Sequence, residues 1–201
     1  MSESTSPITV RRLADSNWAQ FRQVRLDALH ESPEAFSATR ADEEALSEAA
    51  WLERVRRSPR FLAERDGAVL GTASVGRHRT QGDGSEEALL EDLTQVGLSE
   101  SANIAEIYGL WVTPAARGTG VATALVDAAC QQARDDGRSH IVYWVSTSNG
   151  RAVAFASGLG FRPSDSRRPM RGVGHVDEEE IAMILPLGLD RGWSGAGSGG
   201  A

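Results

Sequence analysis

The sequence predicts a single α/β domain built on a mixed sheet with helices on both faces. Three observations carry that prediction. Short β-branched and aromatic runs alternate with helical patterns along the chain. An Asp66-Gly67 pair joins two strand-like runs. A strand, a Gly-rich turn and a helix follow one another around Gly118-Thr119-Gly120. The expected order is β-α-α-β-β-β-α-β-α-β-β.

Ile8 to Arg12 reads as the first strand. Asp15 or Ser16 then caps a helix with Trp18, Phe21, Val24 and Ala28 on one face, and Pro33 breaks that pattern. A second helix is expected from Ser47 to Arg57, with Trp51 and Val55 on one side; Trp18 and Trp51 are read as core. Phe61–Arg65 and Ala68–Val75 flank Asp66-Gly67 and form a hairpin, because a type I′ turn needs positive φ at both central residues. The stretch 77–102 is polar and acidic, with a short helix expected at Glu86–Leu93. Ile104–Val112 reads as a buried strand stopped by Pro114. A helix is expected from Gly118 to Arg134, ended by Gly137. Ile141–Val145, a helix opened by Asn149, and a last strand at Glu180–Leu185 complete the order. The domain therefore covers 8–187. The polar residues 1–7 and the Gly/Ser/Ala-rich tail 188–201 are expected to be disordered.

Composition narrows the function. Net charge is −7, which disfavours nucleic-acid binding. It suits a cationic partner, and it equally suits plain solubility. No apolar run is long enough to span a membrane and Met1–Pro7 has no apolar signal core, so a cytoplasmic protein is expected. Cys130 is the sole cysteine, and His30, His78, His140 and His175 show no metal-ligand spacing, so no metal is expected. All 21 basic residues are arginine. Without lysine, Schiff-base catalysis and a P-loop are excluded.

The chemistry concentrates in the segment from Ala105 to Ala122. The first amides of a helix lack internal partners and sit at the positive end of its dipole. They make an anion site suited to a pyrophosphate. Gly118 and Gly120 admit phosphates close to the backbone, and Arg117 adds positive charge. A dinucleotide fingerprint is incomplete, because Thr123 stands where its third glycine is required.

Arg117-Gly118-Thr119-Gly120-Val121-Ala122 resembles R/Q-x-x-G-x-G/A, the acyl-CoA pyrophosphate motif of the GNAT superfamily of N-acetyltransferases. Leu110-Trp111-Val112-x-Pro114 resembles that family's central strand, and Asn149 to Phe161 resembles its second motif. The resemblance implies a splayed sheet that takes the pantetheine arm of acetyl-CoA between Ile104–Val112 and Ile141–Val145. It implies backbone pairing near Leu110, Trp111 and Val112, with Asn149 and Phe155 lining the arm; Asn149 also reads as a plain helix N-cap. Ala105-Glu106-Ile107 resembles the segment carrying the general base in histone-acetylating members, which makes Glu106 the candidate base. An ordinary strand glutamate or ion-pair partner is the alternative. The motif's usual tyrosine is Ala156 here, with Ser157, Tyr108 and Tyr143 as substitutes for its acid role. Tyr143 and Trp144 also read as packing residues. The basic stretch Arg162–Arg171, with Arg167, Arg168 and Arg171, reads as a solvated loop, or as a contact to the coenzyme's 3′-phosphate or to an acidic part of a substrate.

The implied activity is acetyl transfer from acetyl-CoA to a primary amine, on a small molecule or a protein, through a ternary complex. A non-catalytic acyl-CoA sensor or interaction module of the same fold, and a redox or nucleotide enzyme using the same helix N-terminus, are the competing readings. The sequence leaves the acceptor and the oligomeric state open, a homodimer included.

Overall fold

The computed structural model describes residues 6–77, 103–170 and 178–188. The acidic stretch 78–102, the N-terminal 1–5 and the tail 189–201 lie outside the described residues. So do the helix expected at Glu86–Leu93 and most of the two termini expected to be disordered.

The described elements are β1 (Thr9–Arg12), α1 (Trp18–Glu31), α2 (Arg40–Glu44), α3 (Glu48–Arg57), β2 (Arg60–Arg65), β3 (Ala68–Arg77), β4 (Ile104–Val112), α4 (Val121–Asp135), β5 (His140–Ser146), α5 (Gly150–Gly158), β6 (Arg162–Pro169) and β7 (Glu179–Pro186). Seven strands form one sheet in the order β1-β2-β3-β4-β5-β7-β6. β4 and β5 pair in parallel; every other neighbouring pair is antiparallel.

Local chemistry explains the punctuation. Asp66 and Gly67 have φ of 52° and 79°, as a type I′ turn demands, and Arg65 pairs with Ala68. Ser47 caps α3 by accepting the Ala50 amide. Gly137, with φ 70°, closes α4 in a Schellman motif: Arg138 N–H bonds the Ala133 carbonyl and Gly137 N–H bonds Arg134.

Three expectations need correction. The stretch from Arg162 is an edge strand, β6, paired with β7, rather than a solvated loop. Its alternating polar residues and two prolines hide it, since prolines fit only an edge. The helix after the Gly-rich turn starts at Val121, because Gly118 and Gly120 adopt left-handed φ of 78° and 89°, which no helix accommodates. The order also gains a short helix, α2, capped by Thr39.

The sheet separates two layers. α4 and α5 bury Val121, Leu125, Ala129 and Ala156 against Ala73, Val75, Ile107, Ile141 and Met183. On the other face, α1 and α3 bury Phe21, Val24, Leu29, Trp51 and Val55 against Leu62 and Trp111. Phe21 meets Trp51 edge-on, centroids 5.7 Å apart, a contact of about 1 kcal/mol beyond area burial.

Candidate active site

A fork in the sheet positions the site. Parallel pairing of β4 with β5 runs from Ile104↔His140 to Ile107↔Tyr143 and stops there. β5 continues along β7 to Ser146↔Glu180, while β4 continues along β3. No residue of β5 therefore pairs with Tyr108–Val112, and the two strands diverge. A bulge on β4 helps: Ser74 faces Tyr108 and Thr72 faces Trp111, leaving one extra residue on β4. Gly109 absorbs it with φ 63°. The extra residue resets the alternation, so Leu110 packs with the α4 layer and Trp111 with the α1 layer.

Glu106 sits just before the fork, in the Glu106↔Val142 pair. Its carboxylate lines a cavity of about 400 Å³ that also touches Phe36, Tyr108, Tyr143 and Trp144. Arg168 from β6 reaches in, 3.6 Å from Glu106 and 2.7 Å from Glu180, with its guanidinium 4.3 Å from the centre of the Trp144 ring. Burial, with the charge of Glu180 adding to it, pushes the Tyr143 hydroxyl up to about 12.

The Gly-rich turn lies at the other side of the fork. Arg117, Gly118, Thr119 and Gly120 are exposed; Val121 is buried and Ala122 half-buried. The amides of Gly118, Gly120, Val121 and Ala122 donate to no acceptor among the described residues. A Cβ on Gly118 or Gly120 would meet nothing within 4 Å, so the space over these amides is open. Unpartnered amides at a turn followed by a helix N-terminus form an anion cradle.

Arg117 is placed differently from the free charge the sequence suggests. Its guanidinium bonds Glu31 at 2.8 Å, Ser32 at 3.2 Å and the Val112 carbonyl at 3.2 Å. The Trp111 indole also donates to Glu31, at 3.0 Å, and so does the Ser32 hydroxyl. These bonds, Ser32 first and then Trp111, hold the Glu31 carboxyl below the usual carboxylate range. Glu31 thus ties α1 to the turn. Asn149 caps α5 through the Ala152 amide, and Phe155 packs half-buried on the α4 layer.

A sequence model of the Acetyltransferase (GNAT) family matches residues 18–161, well over half of the chain. The chain belongs to the GNAT family. A segment of this GNAT protein is 34% identical over 116 residues to a mycothiol acetyltransferase of Parafrankia sp. (strain EAN1pec), covering 56% of this chain and 35% of that one. Another is 34% identical over 74 residues to an uncharacterized N-acetyltransferase of Methanocaldococcus jannaschii, covering 37% and 33%. The matched segments thus span about a third of these relatives' length. Among solved structures, an N-acetyltransferase from Staphylococcus aureus Mu50 superposes with TM-score 0.64 at 19% identity, covering 91% of this chain and 100% of that one. An acetyltransferase from Salmonella typhimurium, solved with its cofactor acetyl-CoA, gives 0.62 at 21% identity, covering 96% and 100%. These share the fold of this GNAT chain.

The site residues that sequence reasoning missed are Glu31, Ser32, Arg60 and Glu180, and it read Arg168 only as part of a basic stretch. Each meets its partner across the fold. No local spacing marks such pairs.

Proposed function

We propose that this chain is an N-acetyltransferase that moves the acetyl group of acetyl-CoA directly onto a primary amine, with Glu106 as general base. The observation that carries this reading is the fork: Glu106 lines the cavity where β4 loses its β5 partner. The amides of Gly118, Gly120, Val121 and Ala122, with Arg117 and Thr119 beside them, hold the pyrophosphate of the coenzyme. Tyr108–Val112, free of β5, offer backbone to the pantetheine arm near Leu110, Trp111 and Val112, with Asn149 and Phe155 at the α5 side.

A primary amine has a pKa near 10.4, so at neutral pH only about one molecule in a thousand is the free nucleophile. Glu106 takes the ammonium proton, directly or through water. The amine nitrogen then bonds to the thioester carbonyl carbon, the C–S bond breaks, and its electron pair leaves on sulfur. The second N–H proton passes to the thiolate, so amide and free thiol are the products. A thiol of pKa about 8.5 leaves readily. Ala156 is buried in the core and supplies no acid. Tyr143, held near 12, is a poor acid. It serves the thiolate as a hydrogen-bond donor.

Arg168 is a positioning residue. It fixes Glu106 beside Glu180 and keeps two neighbouring carboxylates from repelling each other. Glu106→Gln is expected to lower kcat by about 10²–10⁴-fold while calorimetry shows unchanged acetyl-CoA affinity. An unchanged rate across the pH range removes Glu106 from this role.

A further inference from the structure

Arg60, the first residue of β2, is 6% exposed and lines the same cavity. Its guanidinium donates to the Ser74 hydroxyl at 2.6 Å and to the Arg54 carbonyl at 3.2 and 3.4 Å. All three bonds go to neutral acceptors. A guanidinium carries five N–H bonds, so two remain without an acceptor among the described residues. It lies 4.9 Å from the Phe21 ring centre and 5.0 Å from that of Tyr108. Among the described residues no carboxylate stands within 4 Å of it. A buried cation without a counter-ion is costly, and an anionic ligand would supply the missing charge.

The surroundings add to this positive charge. Arg25, Arg54, Arg57 and Arg168 also line the cavity. Three glutamates face them. Glu43 is shared between Arg25 at 3.1 Å and Arg54 at 3.2 Å, and Glu106 and Glu180 share Arg168. Among the described residues five arginines face three glutamates, an excess of positive charge in the cavity of a chain of net charge −7. Burial and the neighbouring arginines pull Arg60 down to about 10, so it still carries its charge at neutral pH.

Register places this cation relative to the chemistry. Arg60 pairs with Ser74, and Ser74 pairs with Tyr108, so the three form one row across β2, β3 and β4. Glu106 lies one strand repeat away on β4, about 7 Å. Resting on the proposed acetyl transfer at Glu106, we infer that the acceptor carries an anionic group, a carboxylate or a phosphate, close to its amine. The anion docks on Arg60 and Arg57 while the amine faces Glu106. Planar guanidinium forks match both oxyanions. The acceptor is therefore a small zwitterion, in contrast to the cationic partner that the overall charge suits.

The test uses matched acceptors with the purified chain and acetyl-CoA, following free thiol. Standard amino acids are paired with their amides, and O-phosphoethanolamine with ethanolamine. The expected result is a kcat/KM at least about tenfold higher for the anionic member of one pair series, and the favoured series identifies carboxylate or phosphate. Arg57→Gln and Arg60→Gln should erode that preference through KM; Arg57→Gln alone suffices if the buried variant fails to fold. Equal or better turnover of the neutral members throughout overturns the inference and leaves acetyl transfer standing. A parallel calorimetric titration of N-acetyl amino acids and their amides, without coenzyme, reads the anion site by itself. Preference for the carboxylate there supports the inference even if acetyl-CoA fails to bind, which would sink only the acetyl-transfer reading. If acetyl-CoA fails to bind, absence of that preference in the titration overturns the inference.

Discussion

Cys130 and His140 show how burial sets the behaviour of single groups. Cys130 is buried in the α4 layer, and burial pushes its thiol up to about 12. Thiolate is the reactive form. The native protein should therefore resist iodoacetamide at pH 8 and react only after unfolding, as mass spectrometry would show. His140 is buried, with Nδ1 beside the Ser139 hydroxyl and Nε2 without a partner among the described residues, and burial lowers its pKa. Its unfolded value is about 6.5. The unfolded state then binds more protons, so this group's contribution is present above about pH 6.5 and is lost as pH falls toward the folded value. Urea midpoints should decline from pH 7.5 to 5.5, and His140→Gln should flatten that slope. Glu31 adds a second loss below about pH 4.5, because its folded pKa is also depressed. At this scale the sequence was half legible. Glu106 stood out through the motif around it. Arg60 and Glu43 did not, because buried and solvated charges look alike in a sequence; only their distant partners separate them.

At the scale of elements, two glycine types make opposite demands. Gly71 on β3 has no room: a Cβ there would stand 2.5 Å from the Trp111 carbonyl and 3.2 Å from Val121 and Leu125. Gly71→Ala should force β3 away from β4 and cost about 1–3 kcal/mol, measured by denaturant unfolding. Gly118 has room but left-handed φ. Gly118→Ala should cost about 1 kcal/mol of stability or somewhat more. It should also weaken acetyl-CoA binding beyond that, since its methyl group would occupy the proposed phosphate approach; calorimetry separates the two effects. The hairpin at Asp66-Gly67, the Ser47 cap and the Gly137 stop were legible because each is fixed by residues within one turn. β6 was not. Its sequence, rich in arginine, serine and proline, has no strand periodicity, and only pairing with β7 makes it a strand.

For the whole molecule, the fold class was legible in the alternation of elements, and the fork followed from the family resemblance. The cavity beside Glu106 was not legible. It joins α1, α2 and α3 to the strands β2 to β7, brought together only by tertiary packing. Two half-sheets, β1–β4 and β5-β7-β6, are stitched by four residue pairs, Ile104–Ile107 against His140–Tyr143. Such a seam is a short zipper, with its upper teeth left undone. A guest seated in the notch would act as a shim, fastening edges that the protein alone leaves loose. Acetyl-CoA at a hundred times its Kd should then contribute about 2.7 kcal/mol and raise Tm by roughly 5–10 °C. Amide exchange should slow most at Tyr108–Val112, and equal slowing everywhere would show that the seam is already closed.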